Sequence, residues 1–195
     1  MTTYTLVPRR DPVYPGSLAR MHLLALSTLG DDRPGVIAAV TEVLLRVGCN
    51  IEESAMTRLR GEFAMMLVLE SPIDPDELRD ELSPVAADLG LIVTVRSATG
   101  SDEEAAGLPF TVSVYGADHP GIVHAVTSLL AARRVNVVDV VTHVLAGEDG
   151  DVYVMVLEVH VPADADSTEI GDALAALAAT QGVTASITAV DAETL

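Results

Sequence analysis

The sequence contains no lysine, since all 11 basic residues among its 195 are arginine. Without lysine the chain cannot form a Schiff base with pyridoxal phosphate, nor supply the phosphate-binding lysine of a P-loop. It also lacks tryptophan and has only two phenylalanines and four tyrosines, so aliphatic side chains and six methionines must fill the core. No apolar run approaches the ~18 residues of a membrane-spanning helix. Both enzyme classes are excluded, and no membrane span is expected.

Basic charge is scarce as well, with 11 basic against 29 acidic residues and a formal net charge of -18. A protein that binds nucleic acid must neutralise phosphates with a basic face, and anionic membranes attract basic surfaces for the same reason. The charge balance therefore predicts no direct contact with nucleic acid or membranes. A role in transcription would require a separate DNA-binding protein partner.

The single cysteine, Cys49, excludes an internal disulfide and a thiolate metal cluster, which favours a reducing cytoplasm. Residues 1–20 contain three prolines and no apolar stretch of the kind that signal peptides need. We therefore expect a cytoplasmic protein with a loosely ordered N-terminal extension over residues 1–20.

The remainder of the chain is an internal repeat. The stretch DRPGV at 32–36 returns as DHPGI 86 residues later, and FAMMLVLESP at 63–72 returns as YVMVLEVHVP 90 residues later. The extra residues fall in a Gly/Asp-rich stretch at 147–151, which is typical of a longer hairpin turn. The repeat predicts two domains, at 21–97 and 109–195, joined by a small, polar, acidic linker at 98–108.

Each copy has the pattern of strand, helix, strand, strand, helix, strand, in which the first helix is predicted over 34–47 and the second over 75–89. Pro84 should kink or interrupt the second helix. This order predicts the α+β, ferredoxin-like βαββαβ fold: a four-stranded antiparallel sheet with two helices on one face, and the first and third strands at its centre. Units this small gain stability by pairing, so a homodimer or larger oligomer is expected.

A Gly-x-Asp-x-Pro-Gly stretch joins the first strand to the first helix in both copies. Gly30 and Gly116 are expected to allow a tight turn, and the prolines to preset φ for the first helical turn. The free N–H groups at a helix start hold a carboxylate well, and the aspartate suits either a helix cap or a ligand ammonium. The pattern therefore leaves two readings open: a capped helix start, or a site for both ends of an α-amino acid.

Other candidate sites are weaker. His119 and His124 are five residues apart rather than the four that place two imidazoles on one helix face, so no metal site is expected. Cys49 fits a small buried residue better than a redox-sensitive thiol. The sequence shows no nucleophile elbow and no dinucleotide-binding fingerprint. We expect neither a cofactor nor catalysis.

The stretch LSTLGDDRPGVIAAVTEVLLRVGCNIEES at 26–54 resembles the glycine cleavage system transcriptional repressor family, whose members are tandem ACT-domain regulators. The second copy looks like a more diverged ACT unit. The same motifs also resemble the ACT unit that precedes formyltetrahydrofolate deformylase catalytic domains, but no catalytic domain follows here. The resemblance implies βαββαβ folding, pairing through sheets, and amino acids bound at unit interfaces near the turn.

Carried onto this sequence, the family site comprises the turn and the start of the second strand in each copy. In the first copy these residues are Asp32, Arg33, Pro34, Gly35, Val36, Asn50 and Ile51. In the second they are Asp118, His119, Pro120, Gly121, Ile122, Asn136 and Val137. Arginine can fork onto a carboxylate and histidine cannot, so the two sites are expected to differ in ligand, or only one to bind.

The resulting hypothesis is a non-catalytic regulator that binds a small amino acid, with glycine and serine as first candidates, and modulates a partner such as a DNA-binding protein. Two alternatives stay open. One is a ligand-free interaction module, and the other is a regulatory subunit or detached relative of an enzyme such as the deformylase.

Overall fold

The computed structural model describes residues 21–99, 107–146 and 151–190, and the chain divides into two units, 1–100 and 101–195. The predicted N-terminal extension, most of the predicted linker and most of the predicted turn at 147–151 lie outside the described residues. The domain boundaries themselves stay predictions, although Leu108, placed in the linker, already belongs to a strand.

The first unit is a four-stranded antiparallel sheet in the order β2-β3-β1-β4 with two helices. Its elements are β1 (His22–Asp31), α1 (Val36–Val47), β2 (Asn50–Leu59), β3 (Glu62–Ser71), α2 (Pro75–Leu89) and β4 (Ile92–Ser97). The central position of β1 and β3 confirms the predicted topology.

The second unit repeats this arrangement in the order β6-β7-β5-β8. Its elements are β5 (Leu108–Gly116), α3 (Ile122–Ala132), β6 (Asn136–Leu145), β7 (Val152–Val161), α4 (Ser167–Gln181) and β8 (Val183–Ala189). Both units therefore have the predicted ferredoxin-like α+β fold.

Alternation along the central strands builds each core. On β3, every second side chain from Phe63 to Leu69 is buried against the helices, and β7 repeats the pattern from Tyr153 to Val161. The helices contribute residues spaced at three and four positions, as in Val36, Val40, Val43 and Leu44 of α1. Each unit has its own apolar core on the helix side of its sheet.

Pro84 was predicted to kink or interrupt α2, and the interruption does not occur, because the helix is continuous from Pro75 to Leu89. The proline is exposed, so the carbonyl that loses its partner at the preceding turn can turn toward water. The helix start is also strongly specified, since the Asp74 carboxylate accepts from the N–H groups of Asp76 and Glu77 and the Glu77 side chain completes a capping box.

Gly30 and Gly116 do not form the turn, contrary to prediction. Both are the last or next-to-last residues of their strands and lie where another segment approaches closely. A Cβ on Gly30 would lie 2.8 Å from Leu91 Cδ2, and one on Gly116 would lie 2.8 Å from the Cα of Val183. Their role is to allow this close approach, and the turn begins after them.

The edge strands β2 and β6 extend beyond the cover of the helices. Almost every side chain on them is exposed on both faces of the sheet. On the helix side, β2 therefore leaves a gap beside the start of α1, and β6 leaves the same gap beside the start of α3. These two gaps contain the predicted turns.

Candidate functional site

The turn before α1 is a tight bend fixed by proline and glycine. The Val36 N–H donates to the Arg33 carbonyl at 3.4 Å, while Gly35 has φ 96° and ψ -9°, the angles of the third residue in a type II turn. Gly121 repeats this conformation with φ 104° and ψ -12°. The first turn is also joined to the β2–β3 hairpin, because the Asp32 N–H donates to the Gly61 carbonyl at 2.7 Å.

Two details of the predicted turn are wrong. Each helix begins after its glycine, at Val36 and Ile122, so the prolines precede the helix instead of opening its first turn. No side chain caps either helix start, so neither Asp32 nor Asp118 is the N-cap that one reading of the motif assumed. The left-handed glycine occupies the cap position, and it has no side chain with which to cap. The first-turn N–H groups of both helices therefore lack a side-chain acceptor.

The first groove is the open depression of about 470 Å³ between the α1 start and the edge strand β2. Its lining consists of Asp32, Arg33, Pro34, Gly35, Val36, Ile37, Ala38, Met56 and Phe63. All five predicted turn residues are thus brought together. The volume lies within the ~300–1,000 Å³ range of small-molecule sites.

The charges of the first groove are paired within the unit. The Asp32 carboxylate forms an ion pair of 2.6 Å with Arg58 of β2, and Arg33 pairs with Asp31 at 2.8 Å. The Asp32 carboxylate is therefore already paired with a cationic side chain of the protein, and the Arg33 guanidinium with an anionic one.

The second groove is the equivalent depression of about 450 Å³ beside α3. Its lining consists of Asp118, His119, Pro120, Gly121, Ile122, Val123, His124 and Tyr153. Val144 stands opposite Tyr153 on the edge strand, where the first unit has Arg58 opposite Phe63. Asp118 consequently has no ion pair or hydrogen bond within the described residues.

Tyr153 is the other difference between the two grooves. Its side chain is 7% exposed, and its buried hydroxyl has no hydrogen-bond partner within the described residues. Burial, followed by the nearby Asp118 charge, raises the pKa of Tyr153, so its hydroxyl stays protonated and able to donate at neutral pH. In the first unit this position on the central strand is Phe63, which is 1% exposed.

His119 anchors the second turn to the end of α4. Its Nε2 lies 2.7 Å from the Gln181 carbonyl oxygen, and its Nδ1 lies 3.1 Å from the Pro120 carbonyl oxygen. Both nitrogens donate only in the imidazolium form, so the bond to Gln181, then that to Pro120, raises the pKa of His119. Neither Arg33 nor His119 is thus a free cation aimed into its groove.

This anchor predicts a pH dependence. Because the folded-state pKa of His119 is raised, its stabilisation is complete below the ordinary value of about 6.5 and is lost as pH rises through the folded value. We expect the melting-temperature advantage of the wild type over His119→Asn to be largest near pH 6, as followed by circular dichroism, and to shrink as pH rises.

His124→Asn is the matched control, because within the described residues the only hydrogen bond of the His124 imidazole is with the Ser128 hydroxyl, at 3.4 Å. Its melting temperature should follow that of the wild type across the pH range. A deficit for His119→Asn that stays constant or grows with pH would contradict the anchor.

The remaining predicted residues lie elsewhere in their units. Asn50 and Ile51 open β2 opposite Glu70 and Leu69, whereas the first groove lies beside Phe63 at the other end of β3. At about 3.3 Å per residue, the seven steps along the strand from Phe63 to Glu70 span about 23 Å. Asn136 and Val137 are equally remote from Tyr153 along β7. Within a unit these residues do not join the groove, and their place across an interface from a turn stays a prediction.

Sequence reasoning missed the groove residues outside the turn, which the first helix and the sheet of each unit contribute. These are Ile37, Ala38, Met56 and Phe63 in the first unit and Val123, His124 and Tyr153 in the second. The repeat offset was the available signal, since it aligns Tyr153 with Phe63. Arg58 was not among the predicted site residues, although its position in the hairpin next to the turn makes it the partner of Asp32.

Other chemistry is limited in the described part of the chain. No group of three or more His, Cys, Asp or Glu side chains there is arranged to hold a metal ion. Among the helices of those residues, none is long and apolar enough to cross a membrane. Cys49 is partly buried against the first core, and burial raises its pKa against the opposing effect of the Ser71 hydrogen bond, which leaves less of the reactive thiolate.

The fold and the paired glycine-proline turns define a protein of two ferredoxin-like units, each with a groove at the start of its first helix. The sequence profile of the ACT domain matches residues 22–96 and again 109–188. The chain therefore belongs to the ACT domain family and carries two ACT units in tandem.

Similar proteins include the glycine cleavage system transcriptional repressor of Escherichia coli strain K12, which is 28% identical over 83% of this chain and 86% of its own length. A UPF0237 protein of Methanopyrus kandleri is 35% identical over 36% of this chain and 82% of its own length. A crystal structure of a protein from Galdieria sulphuraria, described as unknown, has a TM-score of 0.74 and 26% identity over 88% of this chain and 99% of its own. The chain is thus a tandem ACT-domain protein that is similar to the glycine cleavage system transcriptional repressors.

Proposed function

We propose that the protein is a non-catalytic regulator that binds a small α-amino acid at the start of an ACT-unit helix and modulates a partner protein. Glycine and serine, both small α-amino acids, are the first candidate ligands, and the name of the similar Escherichia coli protein refers to glycine cleavage. Its cytoplasmic location and its association into oligomers stay predictions.

The observation that supports this proposal is the pair of uncapped helix starts, each next to an aspartate. The N–H groups of a first helical turn carry partial positive charge and attract a carboxylate. An aspartate at the same turn attracts an ammonium. Since an α-amino acid carries a carboxylate and an ammonium on the same α-carbon, it matches the two ends of such a groove.

The partner is inferred from charge and from the relative. With a net charge of -18, the chain is a poor ligand for DNA itself. A regulator of transcription with this charge would act by binding a DNA-binding protein. The amino acid would favour the state of the regulator, free or partner-bound, that it binds more tightly. The coupling free energy cannot exceed the difference between the ligand's binding free energies for the free and the partner-bound protein.

The proposal is tested by thermal unfolding and calorimetry with each common amino acid, glycine and serine first. A ligand at ~100 times its Kd adds about 2.7 kcal/mol of stability to the folded state, which raises the melting temperature of a unit this small by about 10 °C or more. A complete panel without a thermal shift and without heat of binding would contradict the proposal and favour the ligand-free interaction module.

A helix-start variant provides the control. Ile37 and Val123 are each 43% exposed and stand at the second position of α1 and α3. The double variant Ile37→Asp, Val123→Asp places a carboxylate on the free N–H groups, which stabilises a helix start but competes with the ligand carboxylate. We expect a folded protein without a ligand response, whereas the neutral double variant with Asn at both positions retains it. Catalysis by the purified chain would instead favour the enzyme-relative alternative.

A further inference from the structure

We infer that the second groove, and not the first, holds the amino acid, with the Tyr153 hydroxyl donating to the ligand carboxylate and Asp118 accepting from its ammonium. This inference rests on the proposed function and specifies where and how the ligand binds. It makes Tyr153 a binding residue that the sequence analysis did not single out.

The Tyr153 hydroxyl is the first reason to place the ligand in the second groove. The large majority of buried side-chain polar groups have a hydrogen-bond partner, and leaving one unpaired costs stability. The Tyr153 hydroxyl is buried without a partner within the described residues, at the same strand position where the first unit has Phe63. The fold therefore does not need this hydroxyl, and a bound ligand can supply its partner.

The groups around Tyr153 indicate what that partner is. Tyr153 and the uncapped start of α3 line the same groove, and both present donors. Two sets of donors converging on one groove suit a carboxylate, which only accepts when ionised. Asp118 lines the same groove, its charge acts on Tyr153, and it has no ion pair within the described residues. A carboxylate and an ammonium on one small molecule satisfy all three.

The first groove lacks two of these features. Arg58 already holds Asp32 at 2.6 Å, so a ligand ammonium would have to displace an internal cation. Phe63 offers no donor. The first groove thus offers a ligand only the helix start. A zwitterionic amino acid should therefore prefer the second groove.

Less than 1 Å² of the Tyr153 hydroxyl is exposed, so the ligand reaches it only when groove side chains move apart. The exposed side chains of Val123 and His124 on the groove wall leave room for such a movement. Binding should therefore be slower than diffusion, since it includes a conformational step.

The test uses calorimetric titration of the full chain with each common amino acid, glycine and L-serine first. Tyr153→Phe removes only the hydroxyl, and the fold accommodates phenylalanine there because the first unit already has it. We expect Tyr153→Phe to unfold at the same or a slightly higher temperature without ligand, and to bind about 10-fold or more weakly. Asp118→Asn should weaken binding by a similar factor, while Asp32→Asn, its first-groove counterpart, leaves the affinity unchanged.

The outcomes separate the two proposals. If the wild type binds no amino acid, both the proposed function and the role of Tyr153 are overturned. If the wild type binds and Tyr153→Phe binds equally well, or if Asp32→Asn weakens binding more than Asp118→Asn, only this inference fails. In that case the hydroxyl bonds to water, or the first groove is the site.

Discussion

Replacing Leu157 with alanine should lower the free energy of unfolding of the second unit by about 2–5 kcal/mol, and Leu67→Ala should do the same in the first. The two leucines occupy equivalent positions on the central strands β7 and β3 and are 0% and 2% exposed. Each substitution removes buried apolar atoms and leaves a cavity among side chains from both helices of its unit. Urea denaturation followed by circular dichroism measures the loss.

The same variants test whether each unit has a core of its own. Hydrogen exchange should show lost protection in the unit that carries the substitution, because the two apolar clusters share no residue. Leu45→Ala is the surface control, since Leu45 is 79% exposed and should change stability by no more than about 0.5 kcal/mol. Equal loss of protection in both units would show that the cores are not independent.

Gly116→Ala should cost about 1–3 kcal/mol, because it overpacks the contact between the end of β5 and the start of β8. The new Cβ would lie 2.8 Å from the Cα of Val183, and backbone cannot yield as a flexible side chain does. The strand end would shift and carry the following turn with it. Chemical denaturation measures the stability, and the ligand titration described above reports the effect on the second groove.

Gly121 supplies the matched comparison, because its cost has a different origin. A Cβ there meets nothing within 4 Å, but its φ of +104° disfavours every residue with a side chain. Asparagine tolerates positive φ better than alanine, so Gly121→Asn should be less damaging than Gly121→Ala. At Gly116 the order should reverse, because the larger side chain worsens the clash. The same order at both positions would contradict the assignment of close packing to Gly116.

These glycines illustrate how far sequence reasoning reaches. Gly30 and Gly116 were expected to form the turn, but Gly35 and Gly121 do so instead. Sequence spacing identifies a glycine before a turn, but it cannot distinguish a residue that turns the chain from one that makes room for another segment. Leu91 and Val183, the residues that approach Gly30 and Gly116, are each more than 60 residues away along the chain.

The helix starts show the same limit at the level of chemistry. An aspartate shortly before a helix resembles a cap, and local statistics cannot separate that role from others. In the structure the left-handed glycine moves the aspartate out of capping reach, so Asp32 meets Arg58 instead. That ion pair depends on strand register, which is a property of the folded sheet.

The sequence by itself determined the duplication, the βαββαβ order of each copy and the two turns at which a ligand is expected. It could do so because these are local matters: periodicity marks helices and strands, and proline and glycine mark where they break. Only the tertiary structure decided how the two grooves differ in their contacts. Within the described residues, the pairing of Arg58 with Asp32, the unpaired Asp118 and the isolated hydroxyl of Tyr153 arise where strands and helix starts distant in sequence meet.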